Sequence, residues 1–445
     1  MKTKTGSIIL LSIGLPVLLL AQQVQTDSDK VKSLLAHSIA FDLRGEDILS
    51  TAGKERLKRI LTNVKVIGLG EITHEDGATL EAKVKLVQYL HEELGFNVLA
   101  FESSFCGGWL ANEAIKNGES LWASAKNCPG WNLSEYAYEI FEYARDSHQT
   151  DNPLIIAGFD NEKLPTAVSN IQNLVAMCQT WTGYQLSEAD AADIDSLIQA
   201  VGGAIGNQYA KSITYRARQN ARQQIEALLS AIVEQEARLV ADHSAEKVKM
   251  AQFALRSFLL SEKESVAGAF RNIARDKHMF DRFRWLKEEI YPDEKIIIWA
   301  ASAHLMRNGI AITRKEAPGS YGFYPYYQMG DYLYEHYRDE LYTIAFTTSE
   351  GSYGTVYPEG HKWKAYEEVK AVEPPIAQSF EAIAEATNAD FLFCDLQHVP
   401  ATSWLARPFV AYPFGFVEDR AVWSSIVDGI FFIKVMKPDL FKEKE

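Results

Sequence analysis

The sequence predicts an α/β fold, a mainly parallel β-sheet core flanked by helices and carrying a large helical section. Three observations predict it. Short apolar runs recur, and each stops at a residue that can titrate: Val64 to His74, Asn97 to Glu102, Leu154 to Asp160 and Ile296 to His304. Between the first two runs, Leu80, Val84, Val87, Leu90 and Leu94 fall near helical spacing, and Gly95 follows where a C-cap glycine belongs. From Pro165 to about Glu288 the chain is almost free of Pro and strand-like runs and rich in Ala, Gln, Leu, Glu and Arg, all helix formers apart from context.

Taken in order, Met1 to Gly6 is a basic n-region, and Ser7 to Ala21 is an apolar stretch too short to span a bilayer comfortably, with a small residue before Gln22. Residues 1–21 therefore read as a secretory signal peptide, with no Cys at the cleavage point to suggest lipidation. Polar Gln22 to Lys30 follows at once, without a basic stop-transfer cluster, which argues against a retained anchor. The α/β domain is expected over 30–445. Lys30 to about Leu61 reads as helices packed before the first strand. Strand, helix, Gly and strand then make a βαβ unit, with Glu71 and His74 at its first turn and Glu102 after its second strand.

The helical section at about 165–288 includes Ser187 to Ala200, Ile213 to Ala241 and Glu246 to Leu260, and is expected over one end of the sheet. The sheet resumes with Lys295 to Ala300, Leu341 to Thr347, Ala389 to Asp395 and Asp428 to Val435, for about seven strands in all. An aromatic connection, Tyr321 to Tyr327 with Tyr324 at its middle, joins the fourth strand to the fifth. No repeat of fixed period appears.

Charge excludes some partners. With 45 basic and 59 acidic residues the chain carries a net charge of −14, which argues against nucleic acid and anionic membrane. Cys106, Cys128, Cys178 and Cys394 lack the paired spacing of a zinc site or the density of a disulfide scaffold; Cys106 and Cys128 are the one pair for which bridging after export is considered. The expected partner is a small molecule, with no stable membrane insertion once the leader is removed. The sequence does not fix an oligomeric state.

In open α/β sheets, ligands sit beyond the carboxyl ends of the parallel strands, so residues distant in sequence meet along one edge. Two His and three acids are thereby expected in one cleft. Glu71-Ile-Thr-His74 pairs a carboxylate with an imidazole, as general-base activation of water requires: His accepts the proton while the acid fixes its tautomer. The plainer alternative has Glu71 pairing with a basic residue and His74 capping the next helix. Glu102 ends an apolar run, where a carboxylate must be paired whether or not it is catalytic, and it can serve the imidazole, the water or a metal. His304, taken alone, reads more readily as a satisfied core histidine than as a catalyst.

Gly68-Leu-Gly-Glu-Ile-Thr-His74, Glu93 to Phe96 and Phe101-Glu102 resemble the opening block of the erythromycin esterase family. The order continues through Ala157-Gly-Phe-Asp160, Arg271 to Met279, Trp285-Leu286 and Lys295 to His304. It ends with Met329-Gly330, Ser349 to Gly351, Phe393 to Asp395, Trp404-Leu405 and Asp428 to Phe431. The resemblance runs from about Leu34 to the C-terminus. It implies hydrolysis of a carboxylic ester, a macrolide lactone in the best-known members, by water that His74 activates while Glu71, Glu102 and His304 shape the site. No Gly-x-Ser-x-Gly elbow occurs, in keeping with direct attack by water. No cofactor is assigned. Arg271 and Arg275 match the family's basic helix, where either pairs with site carboxylates or lies on the helix surface, and with Lys83 and Tyr324 they are the expected substrate-binding residues.

Two departures stand out. Macrolide-hydrolysing members carry Trp-Ala-His-Asn-x-His where this chain has Trp299 to His304, so Ala301 replaces an imidazole able to donate to an oxyanion, a contact typically worth about 10²–10³ in rate. They carry Arg where Lys83 stands, and Lys lacks the bidentate fork. Two other readings compete: a hydrolase or peptidase holding a divalent metal on Glu71, His74, Glu102 and His304, and a non-catalytic haem- or ligand-binding protein of similar fold. Export is expected to leave the protein in the periplasm or outside the cell. N-terminal sequencing of secreted material should then read from about Gln22, and an intact Met1 on mature protein retained in the cytoplasm would overturn this.

Overall fold

The computed structural model describes residues 27–45, 47–163, 165–202, 213–267, 271–315, 326–361 and 369–443. The expected leader at residues 1–21, Tyr324 and the side chain of Arg271 lie outside them. Eight strands line up in the main sheet: β1 (Ser38–Phe41), β2 (Val66–Glu71), β3 (Val98–Ser104), β4 (Ile155–Asp160), β5 (Ile296–Ala301), β6 (Leu341–Tyr353), β7 (Phe391–Asp395) and β8 (Gly429–Met436). Their spatial order is β1-β7-β8-β6-β2-β5-β3-β4, and a short strand, Lys370–Ala371, pairs with the end of β6. The six from β8 to β4 are parallel, while β7 runs antiparallel to β8 and β1 antiparallel to β7.

The alternation of apolar residues explains how both faces are buried. Val66, Val98, Ala100, Ile296 and Ile298 point into one hydrophobic cluster, and their neighbours Ile67, Leu69, Leu99, Phe101, Ile297 and Trp299 into another. Such continuous apolar strands belong to parallel sheets covered on both sides. On the second face lies helix Gly77–Leu94, whose Leu80, Val84, Val87 and Leu90 join the cluster and whose chain reverses at Gly95 in the left-handed region, with φ 69°.

The helical section comprises Pro165–Thr182, Glu188–Gly202, Tyr215–Glu234, Glu236–His243, Ala245–Val266 and Arg271–Arg284. Its Ile225, Leu228 and Phe258 belong to the same buried cluster as Val66, Val98 and Ile296. The section is thus continuous with the cluster on the first face, and its last helix, Arg271–Arg284, meets the sheet at β4, the strand at one end. One further difference concerns 30–61. Helices Asp27–Ala36 and Thr51–Ile60 are separated there by β1, a four-residue edge strand too short to interrupt a helical pattern legibly. All four cysteines are buried and unbridged, and Cys106 and Cys128 enter opposite clusters. Among the described residues no helix is long and apolar enough to cross a membrane.

Two features prepare the carboxyl edge. Crossing from β3, β4 and β5 on one side of β2 to β6 and β8 on the other makes β2 the switch point of the sheet, where a crevice opens. Residues after β8 then brace the turn that follows β2: Ala78 N donates to Lys437 O at 3.3 Å and Asp439 N to Glu75 O at 3.3 Å. Ser134 Oγ donates to Asp439 at 2.6 Å, tying in the segment that carries Trp131.

Gly70 is required by a close approach. A Cβ there would lie 2.7 Å from Ser302 Oγ and 2.8 Å from Ser302 Cα, and Ser302 Oγ itself donates to Gly70 O at 2.7 Å. Gly70→Ala should therefore lower the unfolding free energy by about 1–3 kcal/mol, the usual cost of overpacking. Chemical denaturation checks this, with the midpoint falling at constant m-value; an unchanged midpoint would contradict the packing described.

Candidate active site

Every acid and imidazole expected in the cleft lies at the carboxyl edge of β2 to β5. Glu71 is the last residue of β2, Glu102 lies near the end of β3, Asp160 ends β4, and His304 sits in the helical turn Ser302–Leu305 after β5. His74 is carried by a tight turn after Glu71. Asp76, fully buried, shapes that turn by accepting from Ile72 N and Thr73 N, each at 2.9 Å, and from the Thr73 hydroxyl. Burial outweighs those bonds and holds its carboxyl up at about 7.

Glu71 has no solvent exposure. One oxygen meets His74 Nδ1 at 3.0 Å and the other meets the ammonium of Lys83, which is itself fully buried and stands 4.4 Å from the centre of the Trp299 ring. Burial pushes Lys83 down to about 8, with Glu71 opposing the shift. His74 has 55% of its side-chain surface open and sets its ring edge-to-face on Trp131, 5.2 Å between centroids. Enclosure opposes charge on that imidazole, but the hydrogen bond to Glu71 and the charges of Glu102 and Glu71 prevail and raise its pKa to about 9.

A second group faces the first across Glu102. One Glu102 oxygen lies 2.9 Å from Arg275 Nη2 and 3.3 Å from His304 Nε2, and the other accepts from Ala301 N at 3.0 Å. Although burial opposes its charge, His304, His74 and Arg275 hold its carboxyl well below the usual range. His304 Nδ1 lies 2.7 Å from Asp276, which also accepts from Met329 N at 3.2 Å. Burial disfavours the imidazolium, yet Asp276 and Glu102 raise its pKa to about 10. Doubly protonated, His304 donates to both acids, and its 3.3 Å approach to Arg275 Nη1 is a meeting of two donors held by shared carboxylates rather than a hydrogen bond. Arg275 completes the group with a two-point pair to Asp160.

Chemically, the arrangement offers a half-exposed imidazole oriented through Nδ1 and an acid whose charge is kept. Glu71, His74 and Glu102 also present one ligand atom each within 4.8 Å of one another, a donor set that zinc or manganese accepts. The expected ligand contacts fall differently. Lys83, read from sequence as substrate-binding, has no exposed surface, and its ammonium is engaged by Glu71 and Trp299. Arg275 is committed to Glu102 and Asp160, with 28% of its side chain exposed. Asp276, Asp76 and Trp131 were not singled out in the sequence. Asp276 had a signal, an acid beside Arg275 in a recognisable block, whereas nothing local marks Trp131.

These shifts can be measured. Imidazole NMR titration should place His74 near 9, and Glu71→Gln should move it down, since the carboxylate hydrogen bond that most opposes desolvation is lost together with the Glu71 charge, while Glu102 remains. A midpoint unchanged by Glu71→Gln would remove Glu71 as the cause. Because the folded pKa of His304 is raised, its contribution to stability is full below about 6.5 and is lost as pH rises through about 10.

The sequence model of the erythromycin esterase family matches residues 91–434, a span that holds Glu102, Arg275 and His304 and begins after the Glu71 to His74 turn. A Bacillus subtilis (strain 168) protein, YbfO, whose assignment as a hydrolase is itself an inference, is 26% identical over 411 residues, 86% of each chain. Among solved structures, a succinoglycan biosynthesis protein superposes with a TM-score of 0.71 at 18% identity, covering 93% of this chain and 98% of that one. An erythromycin esterase variant, EreC in its open conformation, superposes with a TM-score of 0.64 at 15% identity, covering 90% and 98%. At such identities the structural likeness speaks for the fold.

Proposed function

The chain belongs to the erythromycin esterase family, and from that premise we propose that it is an exported hydrolase that cleaves a carboxylic ester with water activated by His74. The observation that carries the reading is the Glu71–His74 pair at the mouth of the crevice. Nδ1 is engaged by a buried carboxylate, which leaves Nε2 to take a proton from water. Glu71 fixes the ring, and Lys83 in turn fixes Glu71. His304 and Arg275, each held by two acids, keep positive charge beside the place where an ester carbonyl develops its own negative charge. Ala301 contributes only a backbone N–H, and Glu102 takes it, so the oxyanion donor available to macrolide-hydrolysing relatives is not replaced at that position. That favours an ester other than a macrolide lactone. Export rests on the composition of residues 1–21, and the periplasm or the extracellular medium is the matching location.

Metal-dependent hydrolysis is the second reading, favoured by the ligand spacing of Glu71, His74 and Glu102. A divalent ion there would have to share Glu71 with Lys83 and Glu102 with Arg275, and it would lower the pKa of a bound water.

An ester panel assayed with wild type and His74→Ala tests the first reading. Turnover should fall by about 10²–10⁴, the usual contribution of a positioned base, with folding retained. The neutral imidazole is the active form, so kcat/KM should climb as pH rises from neutral towards the His74 pKa of about 9. Activity should persist in chelator. Full hydrolysis by His74→Ala would reject the mechanism, and loss in chelator restored by one divalent metal would favour the second reading.

A further inference from the structure

A cavity of about 360 Å³ opens at the opposite edge of the sheet, where the parallel strands begin. Its position follows from register: Val66 pairs with Leu341 at the start of β2 and β6, while Asp395 ends antiparallel β7 opposite Gly429, the first residue of β8. Two motifs noted in the sequence but unused by the active site, Phe393 to Asp395 and Asp428 to Phe431, meet here.

The floor is built rather than incidental. Asp395, 3% exposed, accepts from the Tyr342 hydroxyl at 2.9 Å and from Gln397 N at 3.1 Å, and its other oxygen meets His398 Nδ1 at 2.7 Å. That last contact fixes the ring and leaves His398 Nε2, on a side chain 67% exposed, without a partner among the described residues. Asp428 beside it is already satisfied by Arg307, Gln397 and Thr343, so its charge is neutralised. Two guanidiniums complete the lining. Arg59 makes no side-chain hydrogen bond or ion pair among the described residues. Arg338 makes none either, lying 5.1 Å over the ring of Tyr334, and its backbone takes φ 46° and ψ −116°, a turn conformation ordinarily left to glycine. Keeping an arginine there sets its side chain at the cavity although a glycine would suit the backbone better. Asp339 is the one carboxylate of the lining besides Asp428, and it is exposed.

We propose that this cavity is a second binding site, separate from the hydrolytic cleft, for a small molecule bearing an oxyanion group, either carboxylate or phosphate. Arg59 and Arg338 supply forked donors of the geometry that both oxyanions accept, and His398 Nε2 supplies a third, oriented donor when protonated. Neither guanidinium has an internal anion to satisfy it, whereas each cation of the hydrolytic cleft has one.

The test titrates the full-length protein with inorganic phosphate and, separately, with acetate, following the His398 and His74 imidazole resonances. A saturable shift of His398 at concentrations that leave His74 unmoved is expected, and which anion saturates first tells phosphate from carboxylate. Arg59→Gln and Arg338→Gln, both surface changes outside the core, should each weaken that binding about tenfold, as loss of one charge-assisted contact does. Absence of a saturable shift with either anion, or a shift that both variants leave unchanged, overturns the proposal.

Discussion

The site depends on one buried charge. Glu71 sits at the end of a wholly buried strand, and a carboxylate cannot remain ionised there unless it is paired and hydrogen-bonded. Lys83 provides the charge and His74 the second hydrogen bond, so the residue that orients the imidazole is itself immobilised from the opposite side. Removing one partner of such a pair typically costs about 3–5 kcal/mol, because the other is left buried and alone. The lysine replacing the family's arginine is therefore not a ligand contact exchanged for a weaker one. It is the base of the structure that holds the His74 turn, and its ammonium stands 4.4 Å from the centre of the Trp299 ring.

Beyond that pair the cleft is a balanced cluster. Glu71, Glu102, Asp160 and Asp276 face Lys83, Arg275, His74 and His304, so the charges cancel when both imidazoles are protonated. A neutral His74, the form able to accept a proton, leaves the cluster one unit negative, which is why the acids raise its pKa to about 9. The same carboxylates that orient the imidazole thus oppose its use as a base at neutral pH. A substrate that develops negative charge beside Arg275 and His304 meets groups already committed to acids, and stabilisation there comes from their summed field rather than from new hydrogen bonds.

How much of this could be read from the chain follows from the physics of each part. Buried parallel strands are continuous apolar runs, and a run ended by Glu71, Glu102, Asp160 or His304 shows both the strand and the edge it points to. Gly68 and Gly70 are legible as a motif, but the reason for each, the approach of Leu305 and Thr343 to Gly68 and of Ser302 to Gly70, is a tertiary fact. β1 escaped notice because four residues on a sheet edge carry too little periodicity to stand out between two helices. Lys83 read as a ligand because its charge is visible in sequence and its complete burial is not. Asp276 acts through His304, 28 residues on, and only its place beside Arg275 points to it, while nothing adjacent to Trp131 signals its contact with His74.

The brace across the His74 turn has a consequence for how the protein matures. Ser134 and Asp439 stand 305 residues apart in the chain, and the backbone that holds Glu75 and Ala78 comes from the same late segment. The β2 to β3 unit has its own hydrophobic partners early in synthesis, but the turn carrying its imidazole is not locked until residues beyond β8 have been made and have docked. Closing so long a loop is slow relative to local contacts. On the proposed reading hydrolytic competence is in that sense a late event in biogenesis, and a chain still being made carries every side chain of the candidate site in an unfinished arrangement.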